Sequence, residues 1–319
     1  MRFPLGRLTV VTGVSGSGKS TLVRDVLYEG LRRALGLKGA RPGAFRALRG
    51  VEAVERVLEV DQTPVGKTPR SVPATYLGIW DDLRAAFART PEARARGWKP
   101  GRFSFNVAGG RCEACEGQGR VTVEMSFLPD VQVVCETCRG GRFTAETNEV
   151  RWQGLSPADV LRLTFHEAAK RFSAFPSVAP FLDLVEDTGL GYLSLGQPAT
   201  TLSGGEAQRL KLVTELGKRG REGRTVYVLD EPTTGLHGED VDRLVAVLRR
   251  LVDRGDTVVA IEHDLDVAVA ADHVIDLGPE GGDAGGRVVA QGSPREILRA
   301  SRTSHTGAAL RRYLEGVPA

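Results

Sequence analysis

The sequence is poor in the features that would mark it as secreted or membrane-spanning. Its 319 residues include only four cysteines and two methionines, and aromatics make up 6%. No apolar run reaches the roughly 20 residues that a membrane helix needs, and no signal peptide is expected at the start. A disulfide framework usually spreads its cysteines, whereas all four here fall between 112 and 138. Net charge is only +3, which by itself says nothing about a nucleic-acid partner. What is present, 41% hydrophobic and 26% charged residues, is the composition of a packed soluble core, in one large domain or two ordinary ones.

Against that background one stretch stands out. Gly13-Val14-Ser15-Gly16-Ser17-Gly18-Lys19-Ser20 fits the P-loop pattern G-x-x-x-x-G-K-[ST] at every fixed position. The β-branched run 8–12 before it reads as a buried strand, and 21–27 after it reads as the start of a helix, which argues against a chance glycine-rich turn. Strand, glycine loop and helix together form an anion nest of inward-facing N–H groups at a helix N-terminus. Gly13, Ser15, Gly16, Gly18, Lys19, Ser20 and Thr21 are the candidate nucleotide-binding residues. Lys19 would reach the β- and γ-phosphates, and the Ser20 hydroxyl would ligate Mg²⁺. An ATPase normally has more sheet before its P-loop strand, so a truncated chain or a trimmed fold is expected.

Beyond a Gly- and Arg-rich link, residues 51–60 alternate as a strand that ends at Asp61-Gln62. A turn-rich segment, 63–75, leads to an amphipathic helix over 76–88. Residues 84–111 then carry seven Arg or Lys and one acid, Glu92. Two readings stand open for this stretch. Its arginines beside Trp98, Phe103 and Phe105 would bind phosphate and stack on bases, or it is a solvated basic loop with two core phenylalanines.

The cysteines follow as Cys112-x₂-Cys115-x₁₉-Cys135-x₂-Cys138, inside the spacing of a Cys₄ zinc site. Each C-x-x-C turn presents two thiolates, and two turns complete a tetrahedron around Zn²⁺. With no open position, the metal is structural. Strands over 120–127 and 131–134 are expected to form a hairpin around Leu128-Pro129-Asp130, clamped at its base. Redox-active cysteines are the alternative. The segment from Cys112 to Gly119 also looks like half of a chaperone zinc repeat, but two copies are too few for that module. Helices are predicted over 157–172 and 177–188, and His166 in the first is assigned no role.

Ser203-Gly204-Gly205 opens a further helix and makes a second phosphate-binding nest. The apolar strand 225–229 ends in Asp230-Glu231. Asp230 is placed to hold Mg²⁺ through water, and Glu231 to polarise an attacking water. After a helix over 238–254, the strand 257–261 ends at Glu262-His263-Asp264. A histidine at the C-terminal edge of a parallel strand is where a γ-phosphate sensor sits. A hairpin (274–277 with 287–290) and a short helix from Pro294 complete the pattern.

With these motifs in this order, the sequence resembles ABC-type ATPases, and Ser203-Gly204-Gly205-Glu206 looks like their signature. Residues 61–71, the module at 112–138, Leu202 to Arg209, Asp230 to His237 and Asp276 to Gly282 narrow the resemblance to the C-terminal half of the UvrA family, part of the bacterial excinuclease ABC. The resemblance implies an α/β fold: a P-loop ABC-type ATPase core with an inserted helical signature domain carrying a Cys₄ zinc hairpin. Residues 1–83 and 200–319 would form the core and 84–199 the insertion. It also implies roles: Gln62 as the glutamine linking nucleotide to the insertion, Glu231 as catalytic carboxylate and His263 as switch histidine. ATP, Mg²⁺ and Zn²⁺ are the implied cofactors. The insertion would face damaged double-stranded DNA, with Lys99, Arg102 and Arg111 as candidate contacts. In this fold ATP lies between the P-loop of one half and the Ser203 loop of another, so a homodimer or an N-terminal ABC half is the implied partner. The family joins two halves in one chain and binds UvrB through a domain not visible here, so a fragment, a mis-started frame or a self-pairing half-size relative is expected. The implied setting is cytoplasmic nucleotide excision repair. The rival readings are the ATPase component of a transporter, a DNA-binding or resistance protein without turnover, and an inactive gene remnant.

Overall fold

The computed structural model describes residues 1–125, 127, 130–218 and 224–316. Among these the strands are β1 (Leu8–Gly13), β2 (Arg56–Val60), β3 (Arg120–Val123), β4 (Val131–Val134), β5 (Thr225–Asp230), β6 (Thr257–Ile261), β7 (His273–Gly278) and β8 (Arg287–Gly292). The chain divides into two compact units, Met1–Gln62 with Lys218–Ala319, and Thr63–Gly217.

The first unit is built on a six-stranded sheet in the order β2-β5-β6-β1-β7-β8. Pairing is parallel from β2 to β7, and only β8 runs antiparallel. Parallel strands covered on both faces read as continuous apolar runs, and β6 (Thr-Val-Val-Ala-Ile) is buried at every position. One face packs Val11, Val259, Ile261 and Ile275 against Val23, Leu27 and Leu31 of the helical segment after the P-loop. That segment is wound as a π-helix over Thr21–Tyr28 and continues as an α-helix over Glu29–Ala34. The helix Gly238–Asp253 packs on β1 and β6, with Val241, Leu244, Val247, Leu248 and Leu251 buried along one stripe.

The second unit is helical around an aromatic core. Trp80, Phe87, Phe103, Phe105, Phe143 and Phe165 are buried together. Each such ring removes a large apolar area from water, and Trp80 also donates its indole N–H to the Phe103 carbonyl at 3.1 Å. Phe103 and Phe105 are therefore core residues and are closed to base stacking. No helix among the described residues is long and apolar enough to cross a membrane.

Several expected elements are shorter or broken. The expected helix over 76–88 is divided into Pro73–Tyr76 and Ile79–Ala88, because Gly78 turns left-handed at φ 80°. The helix expected over 157–172 restarts at Thr164, whose side chain caps the Glu167 N–H in a capping box, giving Pro157–Arg162 and Phe165–Arg171. The last helix of this stretch covers Ala179–Asp187. Strand β2 starts only at Arg56, since Val51–Ala53 forms a single 3₁₀ turn after left-handed Gly50. Strand β3 stops at Val123 because its partner β4 offers only four residues to pair; the Met125 N–H instead donates to Asp130 at 3.4 Å. Ser126, Leu128 and Pro129, at the expected hairpin loop, lie outside the described residues.

Candidate nucleotide site and cysteine centre

Parallel register sets the geometry of the first site. Val11 pairs with both Ile261 and Ile275, Asp230 with Ile261, and Val60 with Leu229. The C-terminal ends of β1, β2, β5 and β6 therefore lie on one edge of the sheet. That edge carries the P-loop, Asp61-Gln62, Asp230-Glu231 and Glu262-His263. The C-terminal edge of an open parallel sheet is where ligands bind in α/β folds.

The P-loop is fixed by close backbone contacts. A Cβ on Gly13 would lie 2.1 Å from the Leu277 carbonyl oxygen, and Gly13 has φ 136°, so only glycine fits there. The loop at Gly281 to Gly286 holds the other side. The Gly282 N–H donates to Gly16 O at 3.1 Å and the Gly286 N–H to Ser17 O at 3.0 Å. Gly281 approaches so closely that a Cβ on it would sit 2.5 Å from Ser15 O. The Lys19 ammonium lies over the loop, donating to Gly13 O at 2.8 Å and Val14 O at 3.0 Å. Behind the loop, buried Asp276 accepts from Thr12, Ser304 and Thr306, tying β1 to the C-terminal helix His305–Leu314.

Asp230 faces this edge beside Arg24, whose guanidinium lies 3.6 Å from its carboxylate. Burial pushes the Asp230 pKa up; Arg24 opposes that, Glu231 adds to it and Lys19 opposes it. A carboxylate held in that state gains from a hard divalent cation, and Ser20 and Asp230 supply oxygen ligands of the type Mg²⁺ prefers. Glu231 stands at φ 43°, a left-handed conformation that costs a non-glycine residue roughly 1–3 kcal/mol and clusters at functional sites. Its carboxylate lies 4.0 Å from His263 Nδ1.

Glu262 is the residue that sequence reading left without a role. It is buried, and its carboxylate accepts from the N–H groups of Thr233 at 2.8 Å, His263 at 3.1 Å and Asp264 at 3.4 Å. It thus ties the loop after Glu231 to the loop bearing His263. Burial raises its pKa, against the N–H donors of Thr233, Asp264 and His263. In Glu262→Gln the new amide would turn donors toward donors. We expect a loss of about 1–3 kcal/mol, read as a lower Tm with faster amide exchange at Thr233 and His263. Unchanged exchange at those two amides would remove Glu262 from this role.

In the second unit, Ser203 precedes the helix Gly204–Gly217. The Ser203 N–H donates to Glu206 at 2.6 Å, and the Glu206 N–H returns to Ser203 Oγ at 3.3 Å. Tyr192 donates its hydroxyl to the same Glu206. Of the candidate DNA contacts, Lys99 is exposed. Arg102 pairs with Glu146 and stacks 4.1 Å over Trp98, and Arg111 pairs with Glu113 at 3.3 Å.

The four cysteines converge. Their sulfurs all lie within 4.8 Å of one another, with Cys112 to Cys135 at 4.0 Å and Cys115 to Cys138 at 3.7 Å. A tetrahedral ion with metal–sulfur bonds of about 2.3 Å needs sulfurs about 3.8 Å apart, so the cluster fits zinc and is far from any disulfide contact. The two knuckles match: Glu116 (φ 48°) and Arg139 (φ 50°) are both left-handed just after the second cysteine of each pair. Burial raises Cys112 and pushes Cys138 up to about 12. Burial works against Cys135 too, but N–H groups of Cys138 and Thr137 help bring it down to about 7. A set with one thiol brought down and two pushed up is completed by a cation that replaces the protons.

No protein-family model matches the sequence. The chain is 59% identical over 315 residues to the UvrABC system protein A of Thermus thermophilus, covering 99% of this chain and 33% of that protein. It is 55% identical over 316 residues to the Bacillus subtilis protein of the same name, covering 99% of this chain and 32% of the relative. The crystal structure of UvrA2 from Deinococcus radiodurans superimposes with a TM-score of 0.89 at 53% identity, over 98% of this chain and 37% of that one. The chain spans about a third of the length of these curated relatives. It shares their fold, an ABC-type P-loop core with an inserted helical domain that carries four clustered cysteines, and over that third it belongs to the UvrA family.

Proposed function

We propose that the chain is one ATP-hydrolysing half of a UvrA protein, acting in the cytoplasm on damaged double-stranded DNA in nucleotide excision repair. The observation that carries this reading is the convergence of the P-loop, Asp230-Glu231 and His263 on one sheet edge. Lys19 and the P-loop amides would bind the β- and γ-phosphates. Ser20 and Asp230 would hold Mg²⁺, which neutralises developing charge on the phosphates. Glu231 would orient and polarise the attacking water, with His263 facing the γ-phosphate and Gln62 joining the nucleotide to the inserted unit. The Ser203-Gly204-Gly205 nest would serve the nucleotide of a second half, supplied by another copy or by an N-terminal ABC half. Each half alone then has two incomplete sites. Lys99, Arg102 and Arg111 would meet DNA phosphates, Arg102 and Arg111 by exchanging Glu146 and Glu113 for them. Distortion of the duplex is read in preference to base sequence. UvrB is a further partner in this reading, through parts of the longer protein.

Lys19→Ala tests the nucleotide site without requiring turnover. Removing a charge paired with phosphate costs about 2–5 kcal/mol. We expect MgATP affinity, measured by calorimetry, to fall by at least about 30-fold. Affinity within a factor of three of the parent would refute the P-loop assignment.

A further inference from the structure

We propose that Arg142 is a positioning residue that couples the cysteine centre to two loops of this unit. One loop is 63–71, directly after Gln62; the other is 195–202, which leads into Ser203. The inference rests on reading the cysteine cluster as a zinc site.

Arg142 has two ends with different attachments. Its backbone braces the metal centre, its carbonyl accepting from the Cys112 N–H at 2.8 Å. Its side chain leaves the centre and divides. One terminal nitrogen donates to Pro69 O at 2.9 Å and Gly117 O at 3.1 Å, and the other to Gly196 O at 3.0 Å. The guanidinium also lies 5.2 Å from the Phe105 ring centroid. The two loops it reaches are laced together, with the Ala199 N–H donating to Ser71 O at 2.7 Å and the Ala74 N–H to Leu195 O at 3.1 Å.

The arrangement is costly unless it serves a purpose. Arg142 is 4% exposed and left-handed at φ 65°. Its side chain meets carbonyls and no carboxylate in these bonds. A buried cation needs a counter-charge. Four thiolates around a divalent ion would leave two negative charges, at a centre whose Cys112 N–H is bonded to the Arg142 carbonyl. The charged centre thus stabilises the guanidinium, and the guanidinium holds the loops. A lysine could not replace the planar fork that grips Pro69 and Gly196 at once. Loss or displacement of the zinc would release both loops together.

The test is amide hydrogen exchange on the full chain with zinc bound and after chelation, in the parent, Arg142→Met and Arg142→Lys, with zinc content measured in each. We expect chelation of the parent to speed exchange at Ser71, Ala74, Gly196 and Ala199 at least tenfold. Zinc-loaded Arg142→Met should already exchange at that faster rate, and chelation should add little; zinc-loaded Arg142→Lys should lie between. Amides Val259 and Ile261 of β6 should stay protected throughout, separating this effect from global unfolding. The proposal is overturned if these loop amides keep their protection in the chelated parent or in zinc-loaded Arg142→Met. It is also overturned if Arg142→Met fails to hold zinc, because the link would then be inseparable from the metal site itself. A chain that bound no ATP would leave these exchange results unchanged, so the two readings fail separately.

Discussion

Glu231→Gln is expected to bind MgATP as tightly as the parent and to hydrolyse it about 10²–10⁴-fold more slowly, the usual range for loss of a general base. The amide is isosteric with the carboxylate, so the left-handed backbone at Glu231 and its N–H bond to Ile261 O at 3.0 Å persist. Only the negative charge that, in the proposed function, orients and polarises water is removed. That charge sits beside His263, at 4.0 Å, on an edge that also presents Lys19 and Asp230. The prediction is checked by pairing equilibrium MgATP binding with steady-state phosphate release. A variant that turns over within threefold of the parent would take Glu231 out of the chemistry.

Cys135→Ser is expected to abolish zinc binding, unfold the module at 112–138 and loosen the loops at 63–71 and 195–202, while leaving the aromatic core of its unit intact. The module has little else to hold it. Among the described residues its buried apolar side chains are Cys112, Cys115 and Cys135, with partly buried Val121 and Cys138 against them, and every residue of β4 is exposed. Structural zinc supplies roughly 10–16 kcal/mol of apparent binding energy in small domains, far more than a four-residue hairpin can replace. The aromatic core around Trp80 and Phe87 is built from other residues and keeps its own stability. Metal analysis should read zinc in the parent and none in the variant, and limited proteolysis should cut between 112 and 138 only in the variant. Unchanged zinc content and unchanged cleavage would refute a zinc centre.

The motifs of the nucleotide site were legible because their chemistry is local. A P-loop is one continuous turn, and an apolar run ending in Asp230-Glu231 announces both its strand and its edge. Parallel pairing then carries those ends to one place. The cysteine spacing was legible for the same reason. What was hidden depends on distant backbone. Glu262 is one acid in a run of Glu-His-Asp, and only its burial against Thr233 separates it from a solvated charge. Arg142 looks like one more basic residue among glycines, because Pro69 and Gly196 lie far from it in sequence. Phe103 and Phe105 sit in a basic stretch, yet Trp80, Phe87 and Phe143 enclose them. The division of the expected helix over 157–172 was readable in principle. Thr164 and Glu167 form a capping box, but apolar spacing runs across it through Leu161, Phe165 and Ala168 and imitates one continuous helix.

The most direct test of a half that needs a second half is the ATPase rate per chain across a wide series of chain concentrations, with and without damaged duplex DNA. The account predicts a rate per chain that rises with concentration toward a plateau and responds to the damaged duplex, because each nucleotide needs a P-loop from one copy and Ser203 from another. A rate per chain that stays constant across the series would contradict it.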